Sequence, residues 1–225
     1  MNADQIRRQW AERSGEFSPA YYAYYGPDRA SELVRDVLDR YLDRDARVLE
    51  LGCSSGRHLA HLHDHGFENL VGIELNEDAL DVMAEAYPEL ADAGTFYFDA
   101  IEDVVEGVED GWFDAVYSVQ TLQHVHPESA WVFEELVRIT DDLLVTVENE
   151  GGGSAANGDG DGEGDRPRSS DPEGEVNYVN GEFPLFYRDW NRVFTDLGLL
   201  EVEAGTDGRD TLRAFRPPDE RPGKN

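Results

Sequence analysis

At 225 residues the chain can bury a full core, and its 40% hydrophobic and 11% aromatic content excludes disorder throughout. Its 49 acids against 19 bases give a formal net charge of −30, a sign that opposes phosphate-tracking nucleic-acid surfaces and anionic membranes alike. No apolar run approaches the ~20 residues of a membrane-crossing helix, the N-terminal MNADQIRRQWAERS lacks the apolar core of a secretion signal, and the single cysteine, Cys53, excludes an internal disulfide. The expectation is a cytoplasmic protein with no nucleic-acid or membrane partner; oligomeric state is not readable.

Residues 1–26 are polar and aromatic, with Trp10, Phe17, Tyr21, Tyr22, Tyr24 and Tyr25 close together. After Pro27, Leu33, Val34, Val37, Leu38 and Tyr41 recur at helical spacing and predict an amphipathic helix. Strands and helices then alternate. Strands are expected at 47–51, 70–74, 95–98, 113–119 and 143–147, and helices at 57–65, 77–87, 101–108 and 128–139. This alternation implies parallel strands joined by crossovers, hence an α/β, Rossmann-like three-layer sandwich. Residues 149–176 are rich in Gly, Asp and Glu and almost free of large apolar side chains, which reads as a disordered acidic insertion. Within it Asp159, Asp161, Glu163 and Gly164 imitate the opening of a calcium loop, but Ser170 stands where a bidentate Glu is needed. A helix at 187–197 and two closing strands at 199–204 and 211–215, turning at Asp207-Gly208, end the sheet in an antiparallel hairpin. The organisation expected is a helical and aromatic cap at 1–44, a Rossmann-like core at 45–148, the insertion at 149–176, a helix and closing strands of the same domain at 177–216, and a flexible tail at 217–225.

Chemistry concentrates at the strand ends. Val48-Leu49-Glu50-Leu51 runs into Gly52-Cys53-Ser54-Ser55-Gly56 and then into a helix. Gly52 and Gly56 permit positive φ and close backbone approach to a ligand, and Ser54 is small enough for the turn. In open α/β sheets ligands bind at the carboxyl ends of the strands, where strand order reverses. Glu74 closes the second strand and suits ribose hydroxyls; Asp99 closes the third and suits an exocyclic amine.

At these residues the chain resembles the class I S-adenosylmethionine (SAM) dependent methyltransferases. Their first motif, an acid followed by Gly-x-Gly-x-Gly, is matched by Glu50 and Gly52-Cys53-Ser54-Ser55-Gly56, with serine at the middle glycine. Phe113-Asp114-Ala115-Val116 through Leu122-Gln123-His124-Val125 resembles the fourth-strand motif, whose common form ends Leu-His-His; here Gln123 stands at the first His. The resemblance covers residues 45–148. It implies SAM as cofactor and a seven-stranded, mostly parallel sheet. It implies cofactor contacts at Glu50, Gly52, Cys53, Ser54, Gly56 and Val119, ribose contact at Glu74, and adenine contacts at Leu75, Asp99, Ala100 and Ile101. Asp114, at the start of its strand and far from this end, is assigned to structure.

A nicotinamide dehydrogenase would show Gly-x-Gly-x-x-Gly after the first strand, and Gly52 and Gly56 with serines between them do not fit. A non-catalytic SAM-binding protein stays open. His58, His61 and His65 share helical spacing, but Leu59 and Leu62 claim the inward face, so the histidines are expected in solvent and no metal site is assigned. His124 and His126 follow the fourth strand; a neutral imidazole there suits general-base work, and His124 is the catalytic candidate. Cys53 reads as a small packed residue. Ser118-Val119-Gln120-Thr121 is not the Asn/Asp-Pro-Pro-Tyr/Phe motif of nucleic-acid base methylation, so a small organic acceptor is expected. The aromatic groups Trp10/Tyr21/Tyr22/Tyr24/Tyr25 and Phe183/Phe186/Tyr187/Trp190 either cover a pocket or anchor terminal segments. Lys224 is the only lysine; this haloarchaeal-like acidic composition points to a high-salt habitat.

Overall fold

The computed structural model describes residues 1–151, 176–179 and 183–218. Five strands run parallel: β1 (Arg47–Leu51), β2 (Asn69–Glu74), β3 (Thr95–Phe98), β4 (Phe113–Val119) and β5 (Thr140–Asn149). The last strand, β9 (Asp210–Arg216), pairs antiparallel with both β5 and β8 (Leu200–Asp207). The order across the sheet is β3-β2-β1-β4-β5-β9-β8. This is the mixed seven-stranded sheet expected, with its closing hairpin.

Strand alternation builds two cores from one sheet. Val48, Leu70, Ala115, Val145 and Ala214 pack toward α3 (Arg29–Tyr41), α4 (Arg57–Asp64), α5 (Asp78–Ala86) and α6 (Pro88–Ala93). Their sequence neighbours Leu49, Val71, Val116, Leu144 and Phe215 pack toward α7 (Ile101–Val105), α8 (Val132–Ile139) and α9 (Trp190–Asp196). Strand order reverses between β1 and β4, which opens a crevice at their carboxyl ends.

Residues 1–26 form two helices the sequence reading did not resolve. Asn2 and Gln5 make a capping box for α1 (Ala3–Ala11), and Ser18 with Pro19 starts α2 (Pro19–Tyr25). Asp28 and Ser31 cap α3 in the same reciprocal way. The helix expected at 128–139 begins only at Val132; short 3-10 turns at Leu122–His124 and Pro127–Ser129 precede it. β5 reaches Asn149 because β9 pairs with it as far as Asp210. The helix expected from 187 starts at Trp190, capped by Asp189, because β7 (Phe183–Phe186) pairs with β6 (Val176–Val179) in a separate small sheet. Residues 152–175, with the calcium-like run, and the tail from 219 lie outside the described residues. Among those described, no helix is long and apolar enough to cross a membrane.

Candidate functional site

The crevice between β1 and β4 widens into a cleft of about 1130 Å³, counted to its open mouth. One wall is the loop Gly52–Gly56. Gly52 has φ 66°, and a Cβ there would overlap the Thr121 side chain, so the loop lies directly against the exit of β4. Ser54 takes φ 50°, a left-handed conformation in which the family's usual glycine carries no penalty. Cys53 fills the space left by Gly72, where a Cβ would come within 2.6 Å of its Sγ. Burial pushes the Cys53 thiol well above its ordinary range, which supports its reading as a packing residue.

Glu74 braces this loop. Its Oε2 accepts from the Ser54 amide at 2.7 Å, and its Oε1 from the amides of Leu75 at 2.7 Å and Asn76 at 2.8 Å. Burial raises its pKa while those three donors pull it down. A carboxylate offers about four lone-pair sites, so one remains for a ligand in the cleft that Glu74 lines. The Asp99 carboxylate accepts from the Ala100 amide at 2.8 Å, and Asp99, Ala100 and Ile101 continue the wall at the end of β3.

Of the residues singled out, Gly52, Cys53, Ser54, Glu74, Leu75, Asp99, Ala100, Ile101, Val119 and His124 line the cleft together. Glu50 and Gly56 are not on its wall. The Glu50 carboxylate, 1% exposed, accepts from the Tyr117 hydroxyl at 2.9 Å, and burial raises its pKa well above the carboxylate range. Gly56, at φ 81°, starts α4 with no side-chain cap and lies against Leu90 and Met83. Asp114 accepts from the Arg47 amide at 2.7 Å, tying β4 to the start of β1.

The N-terminal helices roof the cleft. Ala3, Ile6 and Arg7 line the β3 side, and Arg7 lies 3.7 Å from Glu102. Trp10 sits between His124 and Phe183, with ring centroids 4.7 and 4.4 Å away. Asn76, 3% exposed, fastens this roof by donating to the Arg13 carbonyl at 2.9 Å. Phe17 and Tyr22 line the far wall, and Arg57 stacks on Tyr22 while pairing with Asp28 at 2.8 Å. Of the two readings offered for the first aromatic group, Trp10 and Tyr22 fit the first by covering the cleft, while Tyr24 and Tyr25 are exposed.

His124 Nδ1 lies 3.1 Å from the Pro184 carbonyl oxygen. A carbonyl only accepts, so Nδ1 carries the proton and Nε2 keeps the lone pair. Burial lowers the pKa of this ring to about 4, and it is neutral at pH 7. The histidines of α4 are not all in solvent: His58 is 5% exposed, its Nδ1 2.7 Å from the Ser31 hydroxyl. Two charged residues were missed, Glu148 and Arg188, which hold the backbone beside His124. Glu148 was findable, because it follows the buried run Leu143–Val147 much as Glu74 follows that of β2.

Residues 48–142 match the profile of a family described as a methyltransferase domain. Over 93 residues, 40% of this chain and 13% of the relative, the chain is 32% identical to an O-antigen chain terminator bifunctional methyltransferase/kinase of Escherichia coli. Over 131 residues, 57% of this chain and 51% of the relative, it is 28% identical to a ubiquinone biosynthesis O-methyltransferase of Neisseria meningitidis serogroup C (strain 053442). The chain thus spans about half or less of the length of these curated relatives. The crystal structure of magnesium protoporphyrin IX methyltransferase from Synechocystis PCC 6803 with bound SAM aligns over 96% of this chain and 92% of its own, at TM-score 0.59 and 14% identity, a likeness of fold.

Proposed function

We propose that the protein is a SAM-dependent methyltransferase of the class I type that transfers a methyl group from SAM to a small-molecule acceptor, a reading supported by the match of residues 48–142 to a methyltransferase-domain profile. The observation that carries this reading is Glu74: it braces the Gly52–Gly56 loop through Ser54 and still faces the cleft at the strand-order reversal. The donor set fits SAM. One acceptor site on Glu74 suits a ribose hydroxyl, Asp99 with Ala100 and Ile101 suits adenine, and the close-approach loop suits the methionine portion. Glu50, buried under the cleft, ties β1 to β4 through the Tyr117 hydroxyl.

SAM, when bound, supplies a methyl group already activated on its sulfonium, so the protein's share is alignment, exclusion of water and acceptance of a proton. Trp10, Phe17 and Tyr22 exclude water from the roofed side. His124, held in one tautomer by Pro184, offers Nε2 to a hydroxyl or protonated-amine acceptor. The burial that keeps it neutral also makes it a weak base, so its pull grows as methyl transfer acidifies the acceptor. A small acceptor is supported by the enclosed aromatic roof, by the −30 charge, and by the relative named for ubiquinone biosynthesis.

Calorimetry tests the cofactor: SAM and S-adenosylhomocysteine bind, and NAD does not. Glu74→Ala should weaken that binding by about 1–3 kcal/mol and lower the melting temperature with it, since the loop loses its brace. Unchanged affinity removes the ribose assignment. His124→Ala should lower turnover by about 10²–10⁴ with S-adenosylhomocysteine affinity kept. Binding without turnover on any acceptor in a metabolite extract would make this a SAM-binding protein rather than an enzyme.

A further inference from the structure

The 3-10 turn that carries His124 is gripped at both ends by charges, one buried and one half-buried, that take no part in the proposed chemistry. At its start, the Glu148 carboxylate of β5 accepts from the backbone amides of Thr121 and Leu122 at 3.0 Å, from that of Gln123 at 3.2 Å, and from the Ser118 hydroxyl. At its end, the Arg188 guanidinium donates to the carbonyls of Val125 at 2.6 Å and Leu122 at 3.2 Å. Arg188 is seated among aromatic rings, 5.2 Å from the Phe133 centroid and 5.6 Å from that of Trp190. Each charge matches the backbone groups it meets, an anion on the leading amides and a cation on the Val125 carbonyl and on that of Leu122, which also accepts from the Val125 amide at 3.1 Å. Gln123 adds a third tie by accepting from the Asn149 amide at 3.1 Å. That gives a structural role to the residue standing where the family's common motif has histidine.

Glu148 shows no exposure, and burial lifts its pKa to about 7 against four donors that pull it down. Burial likewise lowers Arg188 to about 10. A well-packed apolar side chain stabilises a fold as well as a buried ion does. A fully buried carboxylate and a half-buried guanidinium converging on one short turn therefore point to geometry rather than to stability.

We propose that Glu148 and Arg188 are positioning residues that lock the backbone from Thr121 to Val125 and so fix where His124 stands in the cleft wall. What His124 then does rests on the methyltransferase reading; the clamp itself does not. Glu148→Gln keeps the shape but replaces an acceptor oxygen with a donor that faces backbone N–H groups. Hydrogen exchange should become about tenfold faster or more at Thr121, Leu122 and Gln123, with β1 and β4 unchanged. In the same variant the His124 ring, titrated by NMR, should move from about 4 toward the ordinary 6.5 as water reaches it. Arg188→Met keeps the stem among the rings, removes the guanidinium from both carbonyls, and should move the His124 titration in the same direction; it serves if Glu148→Gln does not fold. Both readouts are taken without ligand, and S-adenosylhomocysteine calorimetry on the parent tests the methyltransferase reading separately. An unmoved His124 titration in both variants overturns the proposal. So does faster exchange spread evenly over β1 and β4, which would make the two charges part of the general core.

Discussion

Phe17 at φ 65°, Ser54 at 50° and Gln120 at 53° are the non-glycine left-handed residues among those described, and all three line the cleft. Such conformations cost about 1–3 kcal/mol each and persist where the surroundings over-determine them. Gly52 shows how tight those surroundings are. Gly52→Ala should lose about 2–4 kcal/mol in urea unfolding, part from the left-handed φ and part from overlap with Thr121. Adding Thr121→Ala should recover only the overlap. The buried titratable groups give opposite pH signatures. His58 is lowered to about 3, first by burial and then by the Arg57 charge, so its contribution is present above the usual 6.5 and lost as pH falls. At about pH 5 this amounts to about 2 kcal/mol, and His58→Gln should flatten that acid limb. Glu148, raised to about 7, contributes stability below the ordinary carboxylate range and loses it as pH rises through about 7. Glu148→Gln should remove that decline.

Whole elements were legible where one period governed the chain. The core strands and their intervening helices followed from alternation and from glycines at turns. α4 shows the limit: its inward face was read correctly from Leu59 and Leu62, yet His58 is buried because α3 crosses the opposite side. A single helix's pattern does not say which neighbour lies on its polar face. There Ser31 meets His58, and Arg35 Nη1 lies 3.3 Å from Nε2 of both His61 and His65. The roof was only half legible, since the aromatic run of residues 1–26 marks contact but not partner. The partner is Asn76, two residues beyond the acid that was found. Asn76→Leu should free α1, and limited trypsin digestion should then cut after Arg7, Arg8 or Arg13 faster than in the parent. Stability should fall by about 0.5–1.5 kcal/mol, the net worth of the hydrogen bond lost.

At the scale of the whole molecule the site residues fell together because strand ends, however distant in sequence, converge on one edge of a parallel sheet. The clamp did not reveal itself in the same way, since Glu148 and Arg188 meet only through a turn whose path no local pattern fixes. Net charge acts on the molecule as a unit. We propose that the −30 charge suits a high-salt habitat, with arginines pairing in place of lysine: Arg213 spans both oxygens of Glu150 at 2.7 and 2.9 Å. Going from about 0.1 to 1 M salt shortens the screening length from about 10 to 3 Å, so the thermal midpoint should rise across that range. Cys53 offers a way to watch the molecule without altering it. Its thiol, the only one in the chain, is 2% exposed and sits at the seam of β1, β2 and the cleft. A chromogenic disulfide reagent can reach it only when that seam parts. The rate of colour development on the unmodified protein is therefore a clock for cleft opening, and saturating S-adenosylhomocysteine should slow it.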